Sequence, residues 1–86
     1  MKVVYKTRGT CSNTIELEIE GEVISNVRFS GGCDGNLQGI AKLVAGMNAQ
    51  DAAERLRGIR CGRKDTSCPD QLAQAIEACL EAENRQ

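Results

Sequence analysis

The chain divides near residue 31 into a part where apolar residues come at every second position and a part where they come at every third or fourth. Ile15, Leu17 and Ile19 alternate with Thr14, Glu16, Glu18 and Glu20, the period of an antiparallel strand with one wet face. Glu20-Gly21-Glu22 turns the chain, and Val23, Val27 and Phe29 continue as the partner strand of a hairpin. Val3, Val4 and Tyr5 supply a third strand, joined to the second through the turn from Thr7 to Asn13.

After Gly31-Gly32-Cys33-Asp34-Gly35 the period becomes helical. Leu37, Ile40, Ala41, Val44 and Met47 follow the i, i+3, i+4, i+7 rule, and this helix ends near Gly46. Asn48-Ala49-Gln50-Asp51 is an N-cap with an acid three residues on, opening a short helix through Leu56 that Gly58 stops. Ser67-Cys68-Pro69-Asp70 repeats that start signal, with proline tolerated in the first turn, and the helix runs to about Glu83. The predicted fold class is α+β. A three-stranded antiparallel sheet, a β-hairpin plus an N-terminal strand, carries two or three helices on one face, in a single domain over residues 1–86.

Composition limits the function classes. A core drawn from 86 residues is small enough that a metal or a partner subunit, a second copy of the chain included, would add usefully to stability. Eleven basic residues against twelve acidic ones leave no single-sign field for nucleic acid or an anionic membrane. With Tyr5 and Phe29 as the aromatic residues, base-stacking platforms are missing as well. The run Met1-Lys2-Val3-Val4-Tyr5-Lys6 is too short for a signal peptide and nothing approaches a membrane span, so a cytoplasmic location is expected. In a reducing cytosol five cysteines point to metal binding or catalysis before a disulfide framework.

Four of the five cysteines stand where the chain turns or a helix begins. Cys11 follows Arg8-Gly9-Thr10, Cys33 follows Gly31-Gly32, Cys61 precedes Gly62, and Cys68 opens Cys68-Pro69-Asp70. Four thiolates complete a tetrahedral zinc site, which needs ligands of this softness in no particular order. The gaps of 21, 27 and 6 residues contain no Cys-x-x-Cys hook, so the fold must assemble such a site; thiol redox, sulfur handling and plain structural cysteines stay open beside it. Cys33 and Cys68 also lie at helix starts, where free N–H groups and the dipole favour a thiolate. Cys79, in step with Leu72, Ile76 and Leu80, belongs to a buried helix face. Gly31, Gly32 and Gly35 form a weaker candidate, an anion cradle at a helix N-terminus with Arg60, Arg63 and Lys64 as basic helpers. It matches neither the dinucleotide nor the Walker fingerprint.

Thr66-Ser67-Cys68-Pro69-Asp70 spells the name-giving motif of the TSCPD family, and the chain resembles that family in two further blocks, Gly31-Gly32-Cys33-Asp34-Gly35-Asn36-Leu37 and Gly58-Ile59-Arg60-Cys61-Gly62. The resemblance maps the four family cysteines onto Cys11, Cys33, Cys61 and Cys68 and leaves Cys79 outside. The same domain is similar to a C-terminal extension of some adenosylcobalamin-dependent ribonucleotide reductases, and stand-alone members often carry the label ribonucleoside-diphosphate reductase. The resemblance therefore implies a ribonucleotide reductase subunit as a partner and an accessory place in an oxidoreductase system of DNA synthesis. It does not imply a complete enzyme, because this length cannot enclose a radical cysteine, a reducing pair and a nucleotide pocket. The reading that follows is a cytosolic four-cysteine module that binds zinc; the alternative is a thiol-redox or sulfur-relay accessory of the reductase.

Overall fold

A computed structural model of the protein describes residues 2–7, 12–31, 34–60, 62 and 66–84. The elements run β1 (Lys2–Lys6), β2 (Ser12–Glu20), β3 (Val23–Gly31), α1 (Asp34–Val44), α2 (Ala49–Leu56) and α3 (Cys68–Asn84). The strands form an antiparallel meander in the order β1-β2-β3, as the alternation predicts. Its second strand begins at Ser12, two residues before the start that the apolar pattern marks, because the backbone of Ser12 takes a rung opposite Gly31.

Gly21 and Glu22 connect Glu20 to its rung partner Val23. Gly21 has φ +62 and no described non-glycine residue has a positive φ, so only the first central residue is left-handed, the mark of a type II′ turn whose twist suits a hairpin. Further on the register slips: Glu18 faces Asn26 and Ile19 faces Ile24. Ser25 is the extra residue of this bulge, and its hydroxyl donates to the Glu18 carbonyl at 3.1 Å. A bulge reverses which residues point inward. Ile24 is accordingly buried, Val23 is 44% exposed, and Val27 is buried on the far side of the bulge.

One sheet face meets the helices. Ile15, Leu17 and Ile19 are fully buried from β2, and Leu72 and Ile76 from α3; with Ile24 and Val44 they belong to one core. On the opposite face Lys2 stands across from Glu18 and Arg28 across from Glu16, the wet side of an antiparallel sheet. The link between α1 and α2 lies along the start of β3. Ile24 N–H donates to the Met47 carbonyl at 2.9 Å, Gly46 N–H to the Ile24 carbonyl at 2.8 Å, and Ala49 N–H to the Glu22 carbonyl at 2.8 Å. These bonds cover a sheet edge that would otherwise leave backbone groups unpaired. Asn48 then caps α2, its side-chain oxygen accepting from Asp51 N–H at 3.1 Å.

Candidate functional site at the start of α3

Polar residues just before α3 and in its first two turns form one hydrogen-bonded cluster centred on Asp70. Ser67 is the N-cap: its hydroxyl accepts from Asp70 N–H at 3.1 Å, and its carbonyl accepts the first helical bond, from Gln71 N–H, at 2.8 Å. The same hydroxyl donates to the Ile59 carbonyl at 2.6 Å, which ties the helix start to the chain leaving α2. Pro69 stands in the first turn, where its missing N–H removes a donor that the helix could not pair.

Asp70 performs the longer-range part. One carboxylate oxygen accepts Gly58 N–H at 2.8 Å, and the other accepts Gln74 Nε2 at 3.0 Å and the Thr66 hydroxyl. Thr66 in turn accepts from Gln71 Nε2 at 3.0 Å. Gly58 has φ +85, so the residue that ends α2 also turns its N–H toward this acid. Burial pushes the Asp70 carboxyl up, but the bonds from Thr66, Gly58 and Gln74, with Arg60 nearby, outweigh it and hold the group below its ordinary value. Both oxygens are occupied, and among the described residues no buried side-chain nitrogen or oxygen lacks a partner. The cluster is thus a structural clasp in which three donors from separate parts of the chain end on one carboxylate.

Cys68 is the first residue of α3 and is buried, 7% exposed. Cys11, Cys33 and Cys61 lie outside the described residues, as does Gly32. Their chain neighbours are placed. Ser12 and Gly31 are rung partners, so the segments leading to Cys11 and Cys33 leave the same end of the hairpin; the segment leading to Cys61 leaves from Ile59, bonded to Ser67 beside Cys68. Among the described residues no three Cys, Asp or Glu side chains gather where they could hold a metal. Of the glycine cradle, Gly31 closes β3 with φ +81 and Gly35 lies in the first turn of α1. A cleft of about 310 Å³ between β3 and α1 is lined by Val27, Arg28, Phe29, Leu37, Gln38 and Ala41, none of them a predicted site residue.

A model of the TSCPD domain matches residues 2–80, which takes in the sheet, α1, α2, most of α3 and every cysteine. The chain belongs to the TSCPD domain family. No curated protein and no solved structure matches it. In this TSCPD chain the motif's letters divide their labour: Thr66, Ser67 and Asp70 hold the helix start, Pro69 accommodates it, and Cys68 is the buried thiol that opens the helix. Cys79 stands apart, 2% exposed within the core, as its periodicity predicts. The sequence pattern revealed the Ser67 cap through its Ser-x-x-Asp spacing but not the bond from Asp70 to Gly58, twelve residues away. A glycine stop followed by a cap with an acid at its third position is the trace it leaves.

Proposed function

We propose that this TSCPD domain is a metal module in which Cys11, Cys33, Cys61 and Cys68 bind one zinc ion, and that it serves a ribonucleotide reductase in the cytoplasm as an accessory. One observation carries the reading: four cysteines distant in sequence flank two junctions of the fold. The Ser12–Gly31 rung stands one residue from Cys11 and two from Cys33 in the sequence. The Ile59–Ser67 bond adjoins Cys61 and Cys68 in the same way. A donor set of four thiolates without histidine suits zinc, which would supply cross-linking of these segments in a small core. The burial of Cys68 favours a ligand over a thiol that exchanges with a partner's disulfide, which needs access.

The test is elemental analysis of protein purified without chelator, with each cysteine replaced in turn by serine. One zinc per chain is expected, lost on replacing any of the four and kept in Cys79→Ala. Protein that holds no metal, with Cys11, Cys33, Cys61 and Cys68 all recovered as free thiols, would end the metal reading, and iron in place of zinc would redirect it to a cluster.

A further inference from the structure

We infer that Asp70 is a positioning residue that assembles the Cys61–Cys68 half of the site before any metal arrives. This deepens the metal reading and rests on it for the affinity measurement alone. Through one carboxylate Asp70 joins three pieces of chain: Gly58, just upstream of Cys61; Thr66, just upstream of Cys68; and Gln74, one turn beyond Asp70 in α3. Ser67 repeats the connection, from Asp70 N–H on one side to the Ile59 carbonyl on the other. The backbone on both sides of the 61–65 segment is therefore anchored by bonds that need no metal. Two segments already held together lose less conformational freedom when their sulfurs bind one ion, and that saving appears as affinity. Groups that orient ligands without touching the metal change affinity by about 10–100-fold when removed.

The test compares wild type with Asp70→Ala, Asp70→Asn and Ile76→Val, the last trimming the core of the same helix away from the clasp. Zinc affinity is measured by chelator competition at a temperature where circular dichroism shows each variant folded. Asp70→Ala is expected to lose about tenfold or more, Asp70→Asn less because one acceptor oxygen remains, and Ile76→Val little. A second measurement uses metal-free protein, following alkylation of each cysteine separately by mass spectrometry. Cys68 should react about tenfold faster or more in Asp70→Ala while Cys79, an internal monitor of global unfolding, keeps its wild-type rate. Equal zinc affinity in wild type and Asp70→Ala, an equal loss in Ile76→Val, or a parallel rise at Cys68 and Cys79 would each overturn the inference. If wild type binds no zinc, the metal reading fails, and the alkylation rates alone decide the clasp.

Discussion

Replacing Asp70 removes the acceptor for three donors at once. The bonds from Gly58, Thr66 and Gln74 are charge-assisted, each worth about 1.5–3 kcal/mol net. Thr66 and Gln74 can turn to water once the carboxylate is gone, so the residual cost is that of the fixed Gly58 N–H plus part of the other two, about 3 kcal/mol for Asp70→Ala. A domain of this size holds about 4–13 kcal/mol in all, and each kcal/mol shifts Tm by about 4–8 °C. The expected fall is therefore about 12–24 °C, with Asp70→Asn roughly half as damaging because it retains the shape and one oxygen. The pH dependence has a definite sign. A carboxyl whose native pKa is lowered contributes stability that is present above its unfolded value, about 3.9, and is lost as pH falls through the lower native value. Thermal melts of wild type and Asp70→Asn should thus differ by a constant amount from about pH 5 to 8 and converge below about pH 4. A loss under about 0.5 kcal/mol, or a gap that widens on acidification, would refute the reasoning.

Three further outcomes follow from packing and capping. Cys79→Ala should cost about 1 kcal/mol through a small cavity and leave zinc stoichiometry unchanged in elemental analysis; loss of the metal would show that the division into four ligands and one core residue is wrong. Ser67→Ala should cost about 1–2 kcal/mol in urea unfolding, since the cap and the tie to Ile59 vanish together. Ile24→Ala should cost about 2–5 kcal/mol, whereas Val23→Ala, at an exposed position, should stay within about 0.5 kcal/mol. Similar costs at the two positions would contradict the bulge at Ser25.

The fold was largely legible because its signals are local. Alternation at Ile15, Leu17 and Ile19, the glycine at 21, the Asn48 cap and the Leu72–Ile76–Cys79 stripe each act within a few residues of themselves. What escaped was set by pairing across the chain. The valines at 23 and 27 share a parity that a regular strand would keep on one face, and only the shift of Ile24 onto Ile19 reveals that Val23 turns outward. At the site the same division holds. Ser67 as a cap and Cys79 as core follow from spacing alone. The role of Asp70 depends on Gly58 arriving from the end of α2, which no periodicity contains. Cys11 and Cys33 likewise belong to separate turns in the sequence, and only the register that sets Ser12 opposite Gly31 relates the strand ends from which those turns depart.

X-ray absorption at the zinc edge of the purified protein is the sharpest check on the proposal that four scattered cysteines bind one ion. A single shell of four sulfur scatterers at about 2.3 Å, unchanged in Cys79→Ala, is the expected spectrum. A shell containing nitrogen or oxygen in place of any sulfur, or protein that retains no zinc to measure, would contradict it.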